Sequence, residues 1–104
     1  MITQSMLERK SPFSPEEILE TLYAARDVCI QYEKKYNMLS EQFYELYSQG
    51  LLDDDDDDGL KFDFADWAGS YKTVLACQRE YNGRVQQFSV AEKLAHLRAH
   101  AMVA

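Results

Sequence analysis

Apolar residues in the first third of the chain recur at alternating spacings of four and three positions. Residues with these spacings lie on one face of an α-helix. Ser14, Pro15 and Glu17 supply the signals of a helix start, because Ser14 can be the N-cap, Pro15 suits the first turn and Glu17 completes a capping box. The pattern predicts a helix over about 15–36, ended by Asn37, with a seam of Ile18, Leu22, Ala25, Cys29, Tyr32 and Tyr36.

Two more helices are predicted in the middle of the chain. A short one over about 41–49 has Ser40 as its expected N-cap and Gly50 as its stop. A second long helix is predicted over about 64–86, with Asp63 as its N-cap. Its seam has the same alternating spacing as that of the first helix and consists of Phe64, Trp67, Tyr71, Val74, Gln78, Tyr81 and Val85.

The last segment predicts a second short helix, over about 90–101. Ser89 and Glu92 form a capping box at its start. Its apolar face is shorter than the seams of the long helices and consists of Val90, Leu94, Leu97 and Ala101. No segment competes with this interpretation by showing the alternation of polar and apolar residues that is typical of strands.

These helices predict an all-α fold, an antiparallel helical bundle of three to four helices, two long and two short. We expect residues 1–13 to form a flexible N-terminal arm and 14–104 to form a single helical domain with an acidic loop at 51–62. The chain has seven Tyr and five Phe. Seams so rich in aromatic residues favour a homodimer or a dedicated partner, because one protomer does not readily cover them.

The charge of the chain is concentrated in one place. The net charge is −7, and outside a run of six consecutive aspartates the chain has 12 acidic and 11 basic residues. Nucleic-acid binding needs clustered Lys and Arg, so binding by a single chain is disfavoured. Only a dimer could bring enough basic residues together. No stretch has the 18 apolar residues of a membrane span and no signal peptide precedes the first helix, so we expect a cytoplasmic protein.

The aspartate run matches a calcium-binding loop only in part. Asp54, Asp56, Asp58 and Gly59 match the first half of such a loop, in which oxygen ligands occupy every second position before a turn glycine. The second half fails, because Ala65 stands where a bidentate Glu is required. We therefore expect no specific metal site here.

Other candidate chemistry also has a simpler structural explanation. His96 and His100 lie one helical turn apart with Glu92 a turn earlier, but an exposed helix end is a sufficient explanation for the pair and we expect no zinc site. Cys29 and Cys77 fall on or beside apolar seams, where Cys is typically a small buried hydrophobe. With only four Gly the chain has no phosphate-binding loop, and we expect neither an enzyme nor a cofactor.

Aromatic residues follow the aspartate run directly. They are equally consistent with core packing and with an interface in which buried anchors are surrounded by charge that attracts a basic partner. The candidate partner-binding residues are Asp53, Asp54, Asp55, Asp56, Asp57, Asp58, Phe62, Phe64 and Trp67.

A family resemblance extends over about residues 30–82. The segments YEKKYNMLSEQFYELYSQGLL and DFADWAGSYKTVL resemble small helical proteins of bacteria, cyanobacteria and archaea that are encoded beside a toxin and act as its antitoxin. The positions that carry the resemblance are Tyr36, Met38, Ser40, Phe43, Gly50, the aspartate run, Trp67, Ala68 and Tyr71. The resemblance implies a small basic toxin as partner, of which an RNase is one example. The length of the aspartate run and the extended C-terminal helix depart from the group.

Three functions follow as expectations. The first is a non-enzymatic antitoxin that neutralises a co-encoded toxin by direct binding, with the aspartates attracting its basic surface. The second is a helical oligomeric scaffold or structural subunit in which the acidic loop only aids solubility. The third is an autoregulatory DNA-binding dimer that uses Arg9, Lys10, Lys93 and Arg98.

Overall fold

The computed structural model describes residues 14–52 and 58–103, and within them every regular element is a helix. The helices are α1 (Pro15–Tyr36), α2 (Ser40–Ser48), α3 (Asp58–Val85) and α4 (Val90–Val103). The all-α fold and its two long and two short helices are confirmed. The predicted arm at 1–13 and residues 53–57 of the predicted loop lie outside the described residues.

The start and end of α1 are as predicted. Ser14 Oγ accepts a hydrogen bond from Glu17 N (3.2 Å), and Glu17 Oε1 accepts one from Ser14 N (2.8 Å), which completes the capping box. Asn37 ends the helix with a φ of 56°, in the left-handed region that Asn tolerates better than most residues. Local chemistry therefore defines both ends of this helix.

The start of α2 differs from the prediction. Leu39 is the N-cap and offers no side-chain hydrogen bond, so Ser40 is the first helical residue and not the cap. The amide of Ser40 instead donates to Glu33 Oε2 of α1 (2.9 Å). A carboxylate from another helix thus takes the role of the missing cap. Gly50, with a φ of 74°, ends the helix as predicted.

The helix α3 begins at Asp58, six residues before the predicted start at 64. Asp63 is therefore not an N-cap, and the predicted acidic loop ends within the first turns of this helix. Carboxylates near a helix N-terminus are stabilised by the helix dipole, which offsets the repulsion between neighbouring aspartates. Asp63 is further held by Lys35 and Tyr36 of α1.

The core lies between α1 and α3, with α2 packed against both. The two long helices run antiparallel, since Tyr36 meets Asp63 and the earlier Tyr32 meets the later Asp66. Its buried side chains are Leu22, Ala25, Cys29, Phe43, Trp67, Ala68 and Val74, and Ile18 is also buried. Four further aromatic residues of the two seams are half-buried against this core: Tyr32, Tyr36, Phe64 and Tyr71.

The helix α4 does not join the core. Within the described residues, no Cα atom of α4 comes within 8 Å of a Cα atom in another helix. Its face, which we expected to pack in the bundle, is exposed. The capping box of Ser89 and Glu92 forms as predicted and starts the helix without help from the bundle.

Candidate partner-binding end of the helix pair

A cluster of aromatic rings fills the space where the end of α1, the start of α3 and α2 meet. The rings of Phe43 and Trp67 are parallel, with centroids 3.9 Å apart. Tyr32 and Tyr36 each stack on Trp67 at 5.8 Å, and Phe64 lies 5.5 Å from both Phe43 and Tyr36. This end of the bundle is therefore held by ring packing that involves all three helices.

A chain of hydrogen bonds passes through the buried side of this cluster. Trp67 Nε1 donates to Ser40 Oγ (2.8 Å), and Ser40 Oγ donates to Glu33 Oε2 (2.7 Å). No buried side-chain nitrogen or oxygen lacks a partner within the described part of the chain. Nearby, burial raises the pKa of the Cys29 thiol, against an opposing hydrogen bond with Ser40. The thiol is therefore a poor nucleophile.

Two aspartates of α3 form the outer edge of the cluster. Asp66 Oδ2 accepts a hydrogen bond from Tyr32 Oη (2.8 Å), and Asp63 Oδ2 accepts one from Tyr36 Oη and one from Lys35 Nζ (both 2.6 Å). Burial, followed by the bond to Asp66, raises the pKa of Tyr32 to about 12. Burial also raises the pKa of Tyr36, while hydrogen bonds from Lys35 and Tyr36 lower the pKa of Asp63. Both carboxylates have structural partners.

The three aromatic residues predicted to bind a partner have different environments. Trp67 is 1% exposed and belongs to the core, and Phe64 is half-buried against Tyr36 and Phe43. Phe62 is 70% exposed, one position before Asp63. A protein that approaches this end can therefore touch Phe62 directly and Trp67 only through its neighbours. Partner binding by these residues stays a prediction.

The aspartates of the run are placed only in part. Asp58 is the first residue of α3, and Asp53 to Asp57 lie outside the described residues. Asp58, the last residue of the run, and the exposed Phe62 are four positions apart on α3, so both lie at the same end of the α1–α3 pair.

Other residues of this end were not predicted from the sequence. Glu33 lies beside the apolar seam of α1, one turn after Cys29, and its bond to Ser40 follows only from the packing of α2. Leu39 and Leu51 flank α2 and are both largely exposed. No sequence signal distinguishes these leucines from core residues, since exposure depends on how the connections between helices pass over the bundle.

Neither a metal site nor a membrane-spanning helix is present among the described residues. In the described ranges no group of three or more His, Cys, Asp or Glu side chains could hold a metal ion. The rings of His96 and His100 lie 4.2 Å apart, and His100 Nδ1 is 2.9 Å from the carbonyl oxygen of His96. Of the helices described, none is long and apolar enough to cross a membrane.

Comparisons of the chain with protein-family models, curated proteins and solved structures gave no match. Membership of the antitoxin group therefore stays a prediction.

Proposed function

We propose that the chain is a non-enzymatic protein-binding module, an antitoxin that acts in the cytoplasm by binding a basic, co-encoded toxin. The observation that carries the proposal is the exposure of Phe62, four positions after the last aspartate of the run, although the neighbouring aromatic residues are packed in the cluster. A large exposed ring beside a concentrated charge is the arrangement of a binding anchor with an electrostatic rim.

The polar side chains near the aromatic cluster form hydrogen bonds between helices, which supports a non-enzymatic role. Ser40, Glu33, Asp63 and Asp66 are the polar residues that approach the aromatic cluster, and each holds helices together. Cys29 is buried beside them with a raised thiol pKa. An active site needs groups that are free to meet a substrate, and these groups already have intramolecular partners.

The charge of the aspartate run supports a basic partner. Six of the 18 acidic residues of the chain lie in this run, and the rest of the chain is nearly neutral. A concentrated negative field raises the rate of encounter with a positive surface and masks that surface once bound. A toxin that binds RNA would present such a surface, which is the partner implied by the resemblance.

Co-expression tests this proposal. The untagged chain is produced together with the tagged product of the adjacent open reading frame, and growth and co-purification are both measured. We expect rescue of growth and a stable complex with the natural chain, and loss of both when Phe62→Ser is combined with Ser at all six aspartates. Tyr23→Ser is the matched control, because Tyr23 is an exposed aromatic residue on α1. A neighbour that is harmless and does not bind contradicts the proposal.

A helical oligomeric scaffold is the second candidate function. The observation that favours it is the exposed apolar face of α4, which packs on no other described helix. In this case the aspartate run only aids solubility. Replacing its six aspartates with Ser would leave the oligomer of this chain intact, and the natural chain would not bind a toxin.

A further inference from the structure

An apolar cleft of about 500 Å³ lies between α4 and the place where the start of α1 meets the end of α3. Its apolar lining consists of Pro15, Tyr81, Val85 and Phe88, and α4 borders it with Glu92, Lys93 and His96. The ring of Phe88 is 45% exposed although it lines the cleft. The described residues thus form a concave apolar surface that none of them fills.

The cleft separates α4 from the bundle. Among the described residues, α4 approaches no other helix within 8 Å between Cα atoms. A helix of 14 residues is marginal in water by itself, since helices shorter than about 12–15 residues are rarely stable without packing. A segment that packs in the cleft would therefore stabilise α4 and cover the apolar lining together.

The chain itself leads into this cleft. Pro15 is both the first residue of α1 and part of the lining, so Ser14 alone separates residues 1–13 from the cleft. The capping box of Ser14 and Glu17 fixes the direction in which the chain enters α1. A segment tethered so closely meets the cleft at an effective concentration on the order of millimolar. A separate molecule of equal affinity would need that concentration to compete.

The residues before Pro15 have the length and the apolar side chains that the cleft requires. Met6 and Leu7 are adjacent apolar residues. Leu7 is eight positions before Pro15, a span of up to about 26 Å at roughly 3.3 Å per residue. Both side chains can therefore reach the lining without any change in α1.

The charges of the cleft match those of the same segment. Glu8 directly follows the apolar pair and is the one acidic residue among residues 1–13. Lys93 forms no ion pair with any described residue. Its neighbour Glu92 already accepts a hydrogen bond from the amide of Ser89 at the helix start (2.7 Å). The Lys93 ammonium is therefore the charge in the cleft that can pair with Glu8.

We propose that the cleft is the docking site of the chain's own N-terminal segment. Met6 and Leu7 pack on the apolar lining, and the Glu8 carboxylate pairs with Lys93 at the rim. The segment then connects α4 to the bundle, in place of the free arm expected from the sequence. The cleft lies at the end of the α1–α3 pair opposite to Phe62, so this docking does not depend on the proposed toxin binding.

Disulfide trapping in the complete purified chain, without any partner, tests the docking. In a background of Cys29→Ala and Cys77→Ala, Leu7→Cys is combined with Val85→Cys in one variant and with Lys72→Cys in the other. Lys72 is the matched control, because it is exposed on α3 about 20 Å along the helix from Val85, which is less than the span of the free segment. The 7–85 disulfide should form at least about tenfold faster than the 7–72 disulfide.

The products identify the occupant. The 7–85 disulfide should appear at the mass of one chain, 12.1 kDa, and the fluorescence of Trp67 verifies that each variant is folded. Lys93→Glu should slow its formation, and adding Glu8→Lys should restore the rate, because the pair is complementary again. Equal rates for the two disulfides overturn the proposal. A product at twice the mass also overturns it, since the cleft would then hold the segment of a second copy.

Trypsin digestion of the chain with its natural cysteines gives an independent test. Docking shields the peptide bonds after Arg9 and Lys10, so Met6→Ser with Leu7→Ser should speed their cleavage at least about tenfold, because cleavage follows the population of the undocked segment. Leu97→Ser is the control and should leave the rate unchanged, since this exposed residue of α4 lies outside the cleft lining. Cleavage that is equally fast in the natural chain and in the Met6, Leu7 variant contradicts the docking.

Discussion

Trp67 on α3 donates a 2.8 Å hydrogen bond to Ser40, the first residue of α2, and Ser40 donates in turn to Glu33 of α1. One buried chain of polar groups thus connects three helices inside an aromatic cluster. A buried polar atom without a partner is costly, so an alternative packing that separates any two of these residues is disfavoured. The network selects one arrangement of α2 against the α1–α3 pair.

Removal of the Ser40 hydroxyl should destabilise the fold. Ser40→Ala leaves Trp67 Nε1 without an acceptor and removes a donor to Glu33, so the free energy of unfolding should fall by about 1–3 kcal/mol. Urea unfolding followed by the fluorescence of Trp67 measures the change. Ser48→Ala is the control, since this exposed hydroxyl bonds only to the carbonyl of Glu45, and it should change stability by less than about 0.5 kcal/mol. Equal effects of the two changes would contradict the role of the network.

The raised pKa of Tyr32 makes stability depend on alkaline pH. Its pKa is about 12 in the folded chain against the ordinary tyrosine value of 10.0, so between pH 10 and pH 12 the folded chain retains a phenol proton that the unfolded chain has lost. The stabilisation is complete below pH 10 and is lost as pH rises towards 12. The free energy of unfolding should therefore decrease through this window.

Tyrosinate absorbance gives the corresponding titration. Tyr32→Phe should remove a step near pH 12, and Asp66→Asn should move that step to lower pH, because it removes the negative charge beside the phenol. An alkaline titration that is the same in the natural chain and in Tyr32→Phe would show that another residue gives rise to the step.

The two thiols should react at different rates. Cys29 is buried and its pKa is raised by burial, while Cys77 is half-buried on α3. Iodoacetamide should therefore modify Cys77 readily in the folded chain and Cys29 only when the chain unfolds. Mass spectrometry of the modified peptides identifies the sites. Faster modification of Cys29 than of Cys77 would contradict the packing described for α1.

Gly83 lies within α3, and a Cβ atom added there would meet no other atom within 4 Å. Gly83→Ala should therefore stabilise the chain by about 0.5–1 kcal/mol, since alanine loses less conformational freedom in a helix. Thermal unfolding followed by circular dichroism measures the increase in Tm. A decrease in Tm would indicate that the end of α3 must bend or unfold locally in the free chain.

Local signals in the sequence predicted most of the helices correctly. Ser14, Glu17, Asn37 and Gly50 act through bonds or backbone angles within a few residues, so their effects are readable without a structure. The start of α3 was not predicted, because an aspartate run resembles a loop until the contacts of Asp63 with α1 are known. Long-range contacts thus extended this helix beyond its apparent start.

The sequence predicted which residues belong to the candidate site but not which of them are buried and which are exposed. Trp67 and Phe62 are five positions apart and have opposite environments, although both are aromatic residues near the aspartate run. The seam spacing includes Trp67 and omits Phe62, which is the one signal that separated them. The bond between Ser40 and Glu33 had no such signal, since it depends on how α2 turns back onto α1.

Isothermal titration calorimetry with the purified product of the adjacent reading frame tests the central claim most directly. The natural chain and Tyr23→Ser should bind with the same affinity, while Phe62→Ser should weaken binding at least about tenfold and the variant with Ser at all six aspartates should lose most of its salt dependence. The absence of binding by the natural chain, or equal affinities of all four proteins at every salt concentration, would contradict the claim that this end of the helix pair is a binding surface for a basic toxin.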